Sequence, residues 1–165
     1  SLNSKVGSFT TSVSVANTTT ETDLFNFSLP ANSLSTANIV YGRIYISSFN
    51  HQTGNFTLKL YYGTGSVTDV VSLTGAHGSG SRGYIDFWII ADGATNDQVL
   101  AFDCWIKAER SNSTDDSNIF KAGEVSDVAI DSTVAQTIKL SAQWATADIS
   151  NNINARCGFA ELIRA

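Results

Sequence analysis

The clearest structural signal in this sequence is the segment Gln136-Thr-Ile-Lys-Leu-Ser-Ala-Gln-Trp144. Apolar and polar residues alternate along it, which is typical of a strand with one buried face. A second alternating segment spans residues 152–162, after a short polar connection. Together they predict a β-hairpin with a loop longer than two residues. The predicted inward residues are Ile138, Leu140, Ala142 and Trp144 on the first strand and Ile153, Ala155, Cys157 and Phe159 on the second.

The same period of two recurs through most of the chain, and no segment has a convincing helical period. We predict further strands at residues 9–15, 24–29, 39–49, 55–62, 67–73, 84–91 and 99–108, with weaker candidates at 119–120 and 125–130. About nine or ten strands predict an all-β, antiparallel, jelly-roll-like sandwich without substantial helix. Residues 1–7 are interpreted as an N-terminal arm or lead-in, and residues 8–165 as a single jelly-roll-like domain with enough length for a real core.

Composition excludes several classes of function. The net charge is −5, and the ten basic residues are scattered singly, so a nucleic-acid partner is not expected. No apolar run approaches the length of a membrane span. The two cysteines, Cys104 and Cys157, cannot form a disulfide scaffold. Both are predicted to be buried thiols that pack as small apolar groups.

Alternation places several large aromatic side chains on the nominal solvent side of their strands. They are Tyr41, Tyr45, Tyr61, Trp88 and Trp105. Monomers normally expose fewer such side chains, and Tyr and Trp are enriched at subunit interfaces. We therefore predict a homo-oligomer, with a trimer favoured, packed through these residues. Two alternatives stay open, which are a platform for stacking sugars and coverage by a loop or the N-terminal arm.

The sequence offers no convincing catalytic constellation, and we predict that the protein is not an enzyme. His51 and His77 lie in glycine-containing loops and are interpreted as solvated. Asp86 and Asp103 lie on neighbouring strands, so paired carboxylates for glycoside hydrolysis are possible in principle. We predict instead that they accept hydrogen bonds from Arg43 or its neighbours at an interface. No catalytic residue, cofactor or metal site is assigned.

Acidic turns leave calcium binding open as a minor alternative, because carboxylate and amide oxygens are suitable ligands. Turn formation is the simpler interpretation of the same residues. The turn residues concerned are Asp92, Asn96, Asp97, Asp115 and Asp116.

Two stretches resemble structural proteins of tailed bacteriophages. One is Ser28-Leu-Pro-Ala-Asn-Ser-Leu34, which leads into the strand at residues 39–46. The other is Asp131-Ser-Thr-Val-Ala-Gln-Thr-Ile-Lys-Leu-Ser-Ala-Gln-Trp144 with the downstream Ala160-Glu-Leu162. The resemblance covers about a third of the chain, and it implies a jelly-roll module, often trimeric and without catalytic residues.

The expected function is therefore that of a virion structural protein located on the surface of the viral particle. It would be a capsid decoration (cement) protein or a head-fibre or tail protein that self-associates and binds other virion proteins, such as a major capsid or tail protein, by shape and apolar burial. The N-terminal arm is a candidate contact with that lattice. The alternative is a carbohydrate-binding or receptor-binding module of a phage fibre, with a surface glycan as partner. Neither nucleic acid nor membrane is expected as a partner.

Overall fold

The structure is a computed structural model that describes residues 3–72, 78–109 and 119–165. Within these ranges the chain forms eleven strands and no helix, and all strand pairs are antiparallel. The strands are β1 (Ser4–Phe9), β2 (Val13–Ala16), β3 (Thr22–Leu29), β4 (Ile39–Asn50), β5 (Phe56–Tyr62), β6 (Gly65–Val71), β7 (Gly78–Ala94), β8 (Asp97–Glu109), β9 (Ile119–Val128), β10 (Gln136–Trp144) and β11 (Asn152–Ile163).

The strands form two sheets that pack into a sandwich, as the sequence predicted. A seven-stranded sheet has the order β1-β11-β4-β7-β8-β9, and β2 also pairs with β11. A four-stranded sheet has the order β3-β10-β5-β6. Inward side chains of both sheets form one core, because alternate residues of each strand point to the same side. Its largest members include Phe49, Phe56, Phe87 and Trp144.

The predicted hairpin between β10 and β11 is wrong, although both strands exist. β10 pairs with β3 and β5 in the four-stranded sheet, whereas β11 pairs with β1, β2 and β4 in the other sheet. The connection at residues 145–151 therefore crosses between the sheets. Alternation identifies a strand and its buried face, but it does not say which strand is its neighbour.

The side chain of Asn151 holds this crossing in place. It is completely buried. Its oxygen accepts hydrogen bonds from the backbone N–H groups of Gln52 and Thr53 at 2.8 and 3.3 Å. Its amide nitrogen donates to the carbonyls of Thr53 and Thr146 at 2.8 and 3.0 Å. A buried amide with all of these partners stabilises the loop instead of carrying a desolvation penalty.

A bulge in β11 corrects the predicted orientation of its second half. Ile153 and Ala155 face the core as predicted, but the pairing with β4 shifts between Ala155 and Cys157. An extra residue in one strand reverses the faces of the residues beyond it. Cys157 and Phe159 are therefore half-buried on the outward face, and the prediction of an inward, buried Cys157 is wrong. Cys104 is fully buried as predicted.

The N-terminal residues also differ from the sequence interpretation. Residues 4–7, part of the predicted arm or lead-in, form the first part of β1 and pair with the end of β11. The single strand predicted at 9–15 is interrupted, because residues 10–12 lie outside both β1 and β2. This break lies opposite the bulge of β11, between the pairs Phe9–Gly158 and Val13–Ala155.

The described residues contain no helix that could span a membrane.

Candidate functional site

The two outer surfaces of the sandwich differ in chemistry. The outward surface of the seven-stranded sheet, here called the outward face, is rich in aromatic and aliphatic side chains. Four rows of residues cross β11, β4, β7, β8 and β9 on this face. They are Ile163–Ile39–Ile90–Val99–Asp127, Glu161–Tyr41–Trp88–Ala101–Val125, Phe159–Arg43–Asp86–Asp103–Gly123 and Cys157–Tyr45–Tyr84–Trp105–Lys121.

The register of the strands gives the extent of the outward face. Neighbouring strands lie about 4.8 Å apart and alternate residues about 6.7 Å apart along a strand, so the four rows span about 19 by 20 Å. The outward surface of the four-stranded sheet instead carries polar side chains such as Lys59, Thr68 and Lys139.

A partly buried ion pair lies in the middle of the outward face. Arg43 donates to both carboxylate oxygens of Asp86, from Nε at 2.6 Å and from Nη2 at 2.7 Å. The hydroxyl of Tyr41 donates to the same carboxylate at 3.1 Å. The Asp86 side chain is only 12% exposed, so these bonds supply the partners that its charge needs. The predicted contact between Arg43 and Asp86 is therefore present.

The electrostatics of this cluster follow from its geometry. Hydrogen bonding to Asp86 raises the pKa of the Arg43 guanidinium above its ordinary value. Burial, and then the negative charge of Asp86, raise the pKa of the Tyr41 hydroxyl. Both groups therefore keep their protons at neutral pH. Both oxygens of Asp86 accept hydrogen bonds from side chains of β4, so the carboxylate links β4 to β7 on the sheet surface.

Beside the ion pair lies the aromatic row, which consists of Tyr45, Tyr84 and Trp105 on adjacent strands. The Arg43 guanidinium stands 4.3 Å from the centre of the Tyr84 ring. The ammonium of Lys121 stands 5.0 Å from the centre of the Trp105 ring. The two outer rings remain accessible, with Tyr45 44% and Trp105 42% exposed. One cation beside the central ring, one beside Trp105 and accessible rings at both ends make this row a stacking surface.

The rest of the outward face is more tightly packed. The Tyr41 and Trp88 rings have centroids 5.7 Å apart, and Phe159 meets Tyr41 edge-on at 6.2 Å. The outermost row is aliphatic, and its four apolar residues are half-buried. They are Ile39, Ile90, Val99 and Ile163.

Four of the five predicted interface residues therefore share one surface, and the fifth does not. Tyr61 lies on β5, so it faces outward from the other sheet. Its hydroxyl donates to Glu21 at 2.5 Å, and its ring lies 4.6 Å from the Lys59 ammonium and 4.2 Å from that of Lys139. The pattern of one strand shows that a residue points outward, but not from which sheet.

Sequence reasoning also missed part of this surface. Phe159 was assigned inward because the bulge before it leaves no mark in the alternation. The aliphatic row went unnoticed because isolated Ile and Val residues are ordinary on strands. Only the register of β4, β7, β8 and β11 brings Ile39, Ile90, Val99 and Ile163 side by side.

The histidine interpretation needs one correction. His51 is only 2% exposed, its Nε2 lies 2.7 Å from the carbonyl oxygen of Gly54, and its ring stacks on Trp144 with centroids 6.0 Å apart. The prediction that it is solvated is wrong, because the loop folds back over the end of the core. His77, Asp115 and Asp116 lie outside the described residues.

Among the described residues, no group of three or more His, Cys, Asp or Glu side chains is placed to hold a metal ion. In the turn between β7 and β8, Asp92 and Asp97 are exposed. Gly93 in that turn has φ +81°, a conformation that glycine adopts without strain.

The sequence matches no family model and no curated protein. Among solved structures, the chain is similar to the CBM2 module of the evolved Dit protein of Lactobacillus casei BL23 phage J-1, with 12% identity over 85% of this chain and 69% of that chain and a TM-score of 0.39. It is similar to peanut lectin with a 9mer peptide, with 9% identity over 100% of both chains and a TM-score of 0.39. It is similar to lectin UEA-II complexed with galactose, with 4% identity over 86% of this chain and 79% of that chain and a TM-score of 0.34. All three scores lie below 0.5, so none of these likenesses assigns a function.

Proposed function

We propose that this protein is a non-catalytic binding module that holds a glycan on the aromatic row of its outward face. The observation that carries the proposal is the pair of accessible rings, Tyr45 at 44% and Trp105 at 42% exposure, on one row of the sheet. Two strand spacings, about 9.6 Å, separate these positions. That distance leaves room for a ligand of two sugar rings lying across the strands.

The chemistry of the row suits a sugar. The C–H faces of a pyranose ring are apolar and stack on aromatic rings, while its hydroxyl groups need hydrogen-bonding partners. The exposed side chains of Asp103 and Lys121 supply an acceptor and donors beside Trp105. The Arg43–Asp86 pair holds the floor of the site in one arrangement, so little ordering is needed on binding.

Binding is tested with a panel of soluble glycans by isothermal titration calorimetry, because Trp105→Ala would also remove a tryptophan that a fluorescence assay reads. We expect saturable binding of at least one glycan, and Trp105→Ala should weaken it at least tenfold because a stacking surface is lost. Tyr61→Ala is the matched control, since it removes an outward aromatic ring from the other sheet and should leave binding unchanged. Equal binding by the Trp105 variant and the native protein would contradict the proposal.

A second candidate is favoured by the aliphatic row beside Tyr41 and Trp88. Sugars do not require Ile39, Ile90, Val99 and Ile163, whereas a protein–protein interface has an apolar centre. In this candidate the protein is a virion structural protein that self-associates through the outward face and attaches to a capsid or tail lattice. The expected mass in light scattering is that of a trimer, three times 17.6 kDa. A monomeric mass at micromolar concentration counts against this candidate.

Quenching of tryptophan fluorescence separates the two candidates. The protein has three tryptophans, and Trp144 is fully buried, so acrylamide reports on Trp88 and Trp105. An interface hides these two residues from the quencher in the native assembly. A glycan platform leaves Trp105 accessible until glycan is added.

For both candidates we propose the surface of a viral particle as the location, because of the resemblance carried by residues 28–34 and 131–144.

A further inference from the structure

A cleft opens along the edge of the sandwich where β1 and β2 of one sheet approach β3 of the other. Its volume is about 230 Å³. It lies at the break between β1 and β2, where residues 10–12 leave the strands opposite the bulge of β11. The cleft therefore opens where the backbone of residues 10–12 leaves the edge of the sheet. The lining residues are Ser8, Phe9, Val13, Asp23, Leu24, Phe25 and Asn26.

The aromatic wall of the cleft is held in place on several sides. The ring of Phe9 packs against Phe25 with centroids 5.1 Å apart. Glycine at 158 leaves room for it, because a Cβ there would lie 2.6 Å from the Phe9 ring. At Gly7 a Cβ would lie 2.8 Å from the Phe27 ring, so the two sheets are in close contact just beside the cleft. The cleft is therefore preformed, which lowers the cost of ordering it around a ligand.

The cleft combines apolar walls with a polar group. Phe9, Val13, Leu24 and Phe25 are apolar, while Asp23 brings a carboxylate whose side chain is 35% exposed. The Asn26 amide donates to Asp23 at 2.9 Å, and the Lys139 ammonium lies 3.7 Å from the other oxygen, beyond hydrogen-bonding distance. That oxygen therefore forms an ion pair with Lys139 but accepts no hydrogen bond from it, so a donor in the cleft can still bond to it.

We propose that this cleft binds a small molecule that carries one apolar ring and one protonated amine. An apolar cavity of about 150 Å³ holds a benzene-sized ring, so the cleft has room for such a ring and a short amine tail. The ring packs against Phe9 and Val13, and the ammonium group pairs with Asp23. This site is separate from the aromatic row, since its walls lie between the sheets instead of on the outward face.

The test uses benzylamine, with benzyl alcohol as a neutral probe of nearly the same shape. Each is titrated into the isotopically labelled protein while backbone amide shifts are followed by NMR. We expect saturable shifts at Phe9, Val13 and Leu24, with benzylamine bound about two- to fivefold more tightly, as suits a partly exposed ion pair. Absence of saturation at tens of millimolar, or shifts that map to the outward face, would overturn the proposal.

Two variants sharpen the result. Val13→Trp fills the cleft and should weaken both probes at least tenfold, and Asp23→Asn should remove the preference for benzylamine while leaving benzyl alcohol unchanged. Unchanged binding by a folded Val13→Trp protein, or an unchanged preference in Asp23→Asn, counts against the assignment. If Val13→Trp does not fold, the shift map of the native protein still decides the outcome. Loss of this site leaves the glycan proposal untouched, because Tyr45 and Trp105 are not involved.

Discussion

At the scale of single residues, Arg43 illustrates how a charge is accommodated on an apolar surface. It binds Asp86 through two hydrogen bonds and stacks on Tyr84. We expect Arg43→Met to lower the free energy of unfolding by about 1–3 kcal/mol, less than for a fully buried pair because the Arg43 side chain is 30% exposed. Urea unfolding measures this change, and Asp103→Asn, an exposed neighbour, should stay within about 0.5 kcal/mol. Equal changes in the free energy of unfolding for the two substitutions would show that the ion pair does not stabilise the fold.

Tyr62 gives a second prediction at this scale, through the dependence of stability on pH. Burial, and then the charge of Asp131, raise the pKa of Tyr62 from 10.0 to about 12. The folded protein holds this proton more tightly than the unfolded chain does. The contribution of Tyr62 to the free energy of unfolding is therefore complete below pH 10 and is lost as the pH rises towards about 12. Tyr62→Phe should therefore reduce the loss of stability in this range, as followed by thermal unfolding at several alkaline pH values. A variant that loses stability as steeply as the native protein would contradict this assignment.

At the scale of elements, β11 shows what the sequence predicted and where prediction stopped. Alternation located the strand and the inward positions of Ile153 and Ala155, but local pattern carries no record of the bulge, nor of a partner strand more than a hundred residues away. Arg156 and Cys157 both lie on the outward side at the bulge, so deleting Arg156 should remove the extra residue and leave Ala160 and Leu162 inward, and we expect the variant to keep its fold. Arg156→Ala keeps the chain length and removes only an exposed side chain, so its stability should change by about 0.5 kcal/mol or less. Circular dichroism and thermal unfolding compare the two, and an unfolded deletion variant would mean that the bulge itself is needed for the fold.

At the scale of the whole molecule, one core joins both sheets, with Phe25 contacting Phe87 across the sandwich at 6.2 Å. We expect a single cooperative unfolding transition, with far-ultraviolet circular dichroism and tryptophan fluorescence changing together. Two separated transitions would show that the sheets unfold independently.

Sequence reasoning predicted the class of fold and four of the residues on the outward face, because both depend on alternation. It did not predict the grouping of those residues with Ile39 or the separation of Tyr61, because both depend on the order of strands in space.

The pairing of β1 with β11 has a consequence for how the protein is made. Ser4 lies opposite Leu162, so the edge of the larger sheet joins residues whose synthesis is separated by most of this sequence. During synthesis, the backbone groups that pair with β11 stay unpaired until β11 emerges from the ribosome. They belong to β1, β2 and the edge of β4 that faces β11. Contacts of such long sequence separation form slowly, and unpaired strand edges invite aggregation while they wait. Ribosome stalling before residue 152 should therefore yield nascent chains that chaperones bind and proteases cut, whereas synthesis and emergence of β11 complete the sheet in a late step.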